Sequence, residues 1–134
     1  MNAVDIATLP RIAAREFLCG EVLALDAASG AAQLRYRVSE MHLNLAGTAF
    51  GGFLAAMIDD AAGLAAWFGA RQRPFATVTM TVNFLSAARV GDALLADVLV
   101  TQSGSRQAFI EVRLAHESSQ KLVATATVVQ SFLA

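Results

Sequence analysis

The sequence is short of cysteine, of charge and of linker-like stretches, and each shortage excludes something. A single cysteine, Cys19, excludes an internal disulfide framework and any cysteine-rich zinc site. Charged residues are 16% of the 134 and balance to a formal net charge of −1, so no basic face is available to capture nucleic acid or an anionic membrane. No Pro/Ser/Gly-rich linker, low-complexity tract or repeat interrupts the chain, and residues 1–134 are expected to form one domain. The start, MNAVDIATLPRIAAREF, lacks the basic residues and apolar block of a signal peptide. What abounds is apolar: 56% hydrophobic residues exclude disorder and leave apolar area over for a partner subunit or an apolar ligand.

The longest apolar run, Leu45 to Ala70, is broken by Gly51-Gly52 and carries Asp59 and Asp60 near its middle. Each acid would cost about 2.5–3.5 kcal/mol at a bilayer centre, so the run reads as a buried helix in a soluble, cytoplasmic protein. Ahead of it, Pro10 to Cys19 suits a short amphipathic helix with Pro10 in its first turn. A strand follows from Glu21 to Leu25, a turn from Asp26 to Gly30, and an alternating strand from Gln33 to Val38. The apolar helix should end near Gly69. Four period-2 segments follow: the clearest sets Thr77, Thr79, Thr81 and Asn83 opposite Val78, Met80, Val82 and Phe84, and after a Gly91-Asp92 turn come Leu94–Thr101, Gln107–His116 and Leu122–Phe132. Strands this close, joined by hairpin-length turns, imply antiparallel pairing. The expected class is α+β: one curved antiparallel sheet of six strands wrapped around a long helix.

Helical spacing puts Gly52, Ala55, Ala56, Asp59, Ala62, Gly63 and Ala66 on one stripe and Phe53, Met57, Leu64, Trp67 and Phe68 on another side. A helix apolar all round is a buried helix. Asp59 points into the small-residue stripe, where an ionised carboxylate requires compensating hydrogen bonds or a raised pKa. It is either a general base or a cap on a neighbouring loop; the chemical role is preferred. Asp60 lies 100° further round and is expected to bond a backbone group or reach solvent. At the helix start, Gly51 and Gly52 let a substrate approach bare N–H groups at the positive end of the macrodipole, where a developing oxyanion is stabilised.

The run Asn44-Leu-Ala-Gly-Thr-Ala-Phe50-Gly51-Gly52-Phe-Leu-Ala-Ala-Met-Ile-Asp59 resembles the signature of hotdog-fold thioesterases of the PaaI-like branch, and Thr77 to Asp92 extends the likeness. The resemblance implies a hotdog fold, assembled as a homodimer or dimer of dimers, that hydrolyses acyl-CoA thioesters without a cofactor, coenzyme A being part of the substrate. By position it implies Asp59 as general base or nucleophile, Gly51 as the N–H donor to the thioester carbonyl, Asn44 orienting water or carbonyl, and Thr77 assisting the water. Phe50 departs from the family, which usually has a histidine there. That departure supports an alternative, a catalytically weakened protein that binds acyl-CoA without turning it over. A hydratase on a similar fold ranks last, since no histidine falls at the expected place.

Gly51 and Asp59 are eight residues apart on one helix, so a rise of 1.5 Å per residue separates them by about 12 Å. A carbonyl and its attacking water span only about 3–3.5 Å. One chain therefore cannot serve one substrate with both groups, and a site shared across a two-fold interface is expected. Arg71, Arg73, Arg89 and Arg106 are candidates for gripping the phosphates of coenzyme A, with Arg89 and Arg106 preferred, beside Phe50 and Gly52 at the substrate. Cys19 is expected to be a core thiol. His42 is expected to be solvated or bonded within its loop, although its closeness to Asn44 would let it replace the missing imidazole. His116 is expected at the surface, and two distant histidines make no metal site.

Overall fold

The alternating segments fold as six strands around one long helix in the computed structural model, which describes residues 3–133. A short helix α1 (Ala13–Phe17) leads into β1 (Gly20–Leu25) and β2 (Ala32–Arg37). Helix α2 (Gly51–Gly69) follows, then β3 (Phe75–Phe84), β4 (Ala93–Ser103), β5 (Gln107–His116) and β6 (Leu122–Phe132). Helix α1 is shorter than the expected Pro10–Cys19, because Leu9 and Ile12 are extended and Cys19 turns left-handed at φ 53°.

Every strand pair is antiparallel, in the spatial order β1-β2-β4-β5-β6-β3. The hairpin expectation holds for β1–β2, β4–β5 and β5–β6. It fails between β3 and β4: β2 occupies that place beside β4, and β3 pairs with β6 at the sheet edge. The connecting segment 85–92 instead crosses the end of the sheet, held by Leu85 N–H on Val123 O and Gly91 N–H on Val38 O.

Helix α2 lies on the concave face. Leu54, Met57, Ile58, Ala61, Ala62, Ala65 and Ala66 are buried against Leu34, Tyr36, Leu94, Ile110, Leu114 and Val128. Burying Met57 and Ile58 alone contributes about 1.5–3 kcal/mol each. The alanines let the helix come close, and Gly30 completes the approach: at φ +79° a Cβ there would sit 2.2 Å from the Ala65 carbonyl oxygen. The all-round apolar helix is not buried all round. Gly52, Phe53, Ala56, Asp59, Gly63 and Trp67 form a side that stays partly or fully open.

That open side and the free edge of β3 lie together. Among the described residues no strand pairs with the outer edge of the ten-residue β3, and Val78 and Phe84 are 57% and 53% exposed there. A long uncovered edge with apolar side chains is a pairing surface.

Candidate active site

The start of α2 is held by three backbone contacts: Phe50 N–H to His42 O, Ala49 N–H to Ala88 O, and an antiparallel bridge between Thr48 and Arg89. Asn44 shapes the loop before it, its Oδ1 accepting from Ala46 N–H (2.9 Å) and Thr48 N–H (3.2 Å) and its Nδ2 donating to Thr48 Oγ (3.0 Å). Phe50 is the N-cap residue and offers no side-chain cap, so the first-turn N–H groups of Gly51 and Gly52 face outward without a helical acceptor. A Cβ on Gly51 would lie 3.3 Å from the Phe84 ring, whereas one on Gly52 would meet open space.

Asp59 stands two turns along the same helix, half-buried, with its Oδ1 accepting from Thr77 Oγ at 2.7 Å. Thr77 reaches it because of a bulge. Thr77 pairs with Gln130 and Thr79 with Val129, which leaves Val78 without an opposite residue. Phe75 and Thr77 therefore face α2 before the bulge, and Met80 and Val82 pack toward the core after it. Strict alternation had placed Thr77 on one face with Thr79 and Thr81; the bulge separates them. Beyond Thr77 lies the fully buried side chain of Gln130, its Oε1 3.0 Å from Thr77 Oγ and its Nε2 without a partner among the described residues.

A cavity of about 530 Å³ opens beside Asp59 and Thr77. Leu9, Ile12, Leu18, Trp67, Phe68 and Phe75 make it a mostly apolar chamber, with Asp59 and Thr77 on its wall and Arg15 and Asp60 also lining it. Trp67 and Phe68 thus line a cavity as well as pack, while Met57 is wholly core.

Asp60 departs from expectation. Instead of a backbone group or solvent it takes both Arg15 Nε (2.8 Å) and Arg15 Nη2 (3.1 Å), and accepts from Tyr36 OH at 2.7 Å. Burial, reinforced by the neighbouring Asp60 charge, pushes the Tyr36 phenol far above its ordinary range. No local signal could have revealed this cluster, since Arg15 is 45 residues from Asp60.

His42 is fully buried rather than solvated: Ser39 N–H donates to its Nδ1 (3.0 Å), so Nε2 carries the proton and donates to Phe17 O (2.9 Å). Nδ1 is bonded within its own loop, as one of the two expectations had it, and Nε2 ties that loop to α1, so the ring does not supply the missing imidazole. Cys19, expected in the core, is exposed, because the left-handed turn after α1 points it outward. His116 is largely covered, its Nε2 against Ala87 O at 3.2 Å. Arg89 is exposed beside the loop that leads into α2, whereas Arg106 lies at the other end of β3, where its carbonyl accepts from Phe132 N–H. Arg71 is exposed after α2, and Arg73 stacks on the Phe132 ring at 4.4 Å. Among the described residues no group of three or more His, Cys, Asp or Glu is gathered around a point where a metal ion could sit.

The thioesterase superfamily family model matches residues 46–129, which takes in α2, Asp59, Thr77, β3 to β5 and most of β6. The chain belongs to the thioesterase superfamily. Acyl-coenzyme A thioesterase 13 of Homo sapiens is 30% identical over 109 residues, 81% of this chain and 78% of that protein. Among solved structures, zebrafish thioesterase superfamily member 2 superposes with a TM-score of 0.81 at 29% identity, covering 96% of this chain and 91% of the other. A mutant of the phenylacetic acid degradation protein PaaI from Thermus thermophilus gives 0.79 at 31% identity, covering 89% and 97%. The curved sheet around one long helix is thus the hotdog fold of these thioesterases. Among the described residues no helix is long and apolar enough to cross a membrane.

Proposed function

We propose that the protein is an acyl-CoA thioesterase in which Asp59 activates water and the Gly51 N–H of a second copy holds the thioester carbonyl. The observation that carries this reading is the Thr77–Asp59 hydrogen bond on the wall of an apolar cavity. The carboxylate takes a proton from water as its oxygen bonds to the acyl carbon. Charge accumulating on the carbonyl oxygen is stabilised by the Gly51 N–H and the positive end of α2. The C–S bond then breaks, the proton taken up by Asp59 passes to the departing sulfur, and coenzyme A leaves as thiol and the acyl group as free acid. No cofactor enters this sequence of steps. Asn44 retains a second Nδ2 hydrogen for the carbonyl or the water, and Arg89, beside the same loop, suits the coenzyme A phosphates. Arg106, at the other end of β3, is assigned the same duty from the second copy.

The second copy is required by distance and invited by the sheet. Gly51 and Asp59 remain about 12 Å apart along an unbroken α2, too far for one carbonyl and its water. Two β3 edges paired antiparallel about a point between Met80 and Thr81 would set residue 77 of one chain opposite residue 84 of the other. Phe84 packs by Gly51 and Thr77 bonds Asp59, so that register would bring the two half-sites together twice. This geometry leaves other faces of the dimer open for pairing into a dimer of dimers. A free exposed thiol at Cys19 suits a reducing, cytoplasmic setting.

Phe50 favours a second reading. With a half-exposed phenylalanine where the resembling family usually has histidine, the site would bind acyl-CoA and turn it over weakly or not at all. Thiol release from a panel of aryl, short-chain and long-chain acyl-CoAs separates the two. Steady turnover that collapses in Asp59→Asn supports the thioesterase; tight binding without turnover supports the binding protein.

A further inference from the structure

We propose that Gln130, buried on β6, is a positioning residue for hydrolysis: its side-chain amide hydrogen holds the Thr77 hydroxyl so that the single Thr77 proton is committed to Asp59. The inference rests on the reading of Asp59 as the group that activates water.

Thr77 Oγ lies 2.7 Å from Asp59 Oδ1 and 3.0 Å from Gln130 Oε1, yet a hydroxyl carries one proton and cannot donate to both. Asp59 as an ionised carboxylate can only accept, so the proton goes there. Two facing oxygens, Thr77 Oγ and Gln130 Oε1, would then be left with no hydrogen between them. On the same side chain Nε2 is fully enclosed and has no partner among the described residues. Turning the amide by 180° removes both faults, since its oxygen and nitrogen are nearly the same size and orientation is decided by the hydrogen-bond partners. Nε2 then donates to Thr77 Oγ, and the carbonyl oxygen takes the enclosed place, where an unpaired acceptor is tolerated better than an unpaired donor. The chain runs in one direction: Gln130 Nε2–H to Thr77 Oγ–H to Asp59 Oδ1.

The backbone supports this direction. Thr77 and Gln130 are directly opposed on β3 and β6, and the bulge at Val78 turns this pair toward α2. At the equivalent core-facing positions further along β6, Val128, Ala126 and Ala124 are apolar. A glutamine fully enclosed in such a row, between Val128 and Phe132, has a polar duty, and among the described residues Thr77 is the polar group its side chain meets. By occupying Thr77 Oγ as an acceptor, Gln130 stops the hydroxyl from swinging. Asp59 is then held by one oxygen with the other turned to the cavity and its water.

The test uses full-length protein and a double-mutant cycle. Gln130→Met keeps the volume and removes the donor; it should lower kcat between about tenfold and a hundredfold with KM changed less than about twofold. In a Thr77→Val background the same substitution should add no further loss, because its effect passes through the hydroxyl. Equal losses in both backgrounds would assign Gln130 a packing role and overturn the proposal. A wild type that hydrolyses acyl-CoA and fails in Asp59→Asn, yet is indifferent to Gln130→Met, would overturn the Gln130 role alone; an inert wild type would overturn the reading of Asp59 as well. Should Gln130→Met not fold, the side-chain amide signals of Gln130 in the NMR spectrum decide. They should shift in Thr77→Val, and unchanged signals would show that no such hydrogen bond exists.

Discussion

Asp59 and Asp60 are neighbours on α2 that line the same cavity with opposite fates: Asp60 is gripped at two points by Arg15, whereas among the described residues the Asp59 carboxylate bonds only the Thr77 hydroxyl. The 100° between successive helical residues is the cause. It turns Asp60 toward α1 and Tyr36 and leaves Asp59 on the open side. One acid is thus tied into a salt bridge with Arg15, while the other is bonded by a single hydroxyl.

The division predicts contrasting variants. Asp60→Ala strands Arg15, whose side chain is 9% exposed, and should cost about 3–5 kcal/mol. In a protein of this size that lowers Tm by roughly 10–20 °C. Asp59→Asn should leave Tm nearly unchanged and abolish thiol release. Thermal melts and a thiol assay on the two variants check both halves.

Alkaline pH acts through Tyr36. Its phenol is held protonated in the fold, first by burial and then by the Asp60 charge, whereas in the unfolded chain it ionises near 10. The unfolded state therefore binds fewer protons above that pH, and stability must fall as pH rises. The contribution is fully present below about pH 9 and is lost progressively above about pH 10. Tyr36→Phe should remove that alkaline slope while costing about 1 kcal/mol at neutral pH for the lost hydrogen bond. Denaturant titrations of both proteins between pH 7 and pH 11 read the difference.

Phe50→His tests the departure from the usual family pattern. Phe50 is 49% exposed and contacts Phe53 edge-on at 6.1 Å, so the change should hardly alter Tm. An imidazole there should raise kcat/KM for acyl-CoA. An unchanged rate would mark the ring as an adapted wall of the pocket.

Thr81→Glu tests the β3 edge. Residue 81 sits next to the proposed two-fold axis, where like charges from two chains would meet. The variant should sediment as a monomer at concentrations where wild type is associated, and lose activity in parallel. A dimer that persists would place the interface elsewhere.

Much of this was legible in the residues. Alternation and turn chemistry located all six strands to within a few positions, and Gly51-Gly52 and Gly69 bracketed α2. Asp59 and Thr77 were both singled out, and they do touch. What was not legible depends on long-range contact or on one inserted residue. Nothing near Arg15 announces Asp60. Nothing in a run of alternating threonines announces the bulge at Val78, which is what aims Thr77 at Asp59. Cys19 was misplaced because amphipathic spacing does not foresee a left-handed residue. Gln130 was passed over, since a glutamine near the end of a strand usually meets solvent and only the folded sheet shows it enclosed.

The shared site can be tested with two inactive variants. Gly51→Pro removes the backbone donor at the first helical position, where proline is well tolerated, and Phe50, at φ −55° and ψ 137°, already has the conformation that precedes proline. Asp59→Ala removes the acid. Unfolded together in equal amounts and refolded, half the dimers should be mixed, and each mixed dimer should carry one intact Gly51–Asp59 pair of its two. Thiol release from acyl-CoA should then recover to about a quarter of wild type, from two parents that are each inactive. A mixture no more active than its parents would contradict a site built from the helix start of one chain and the carboxylate of another.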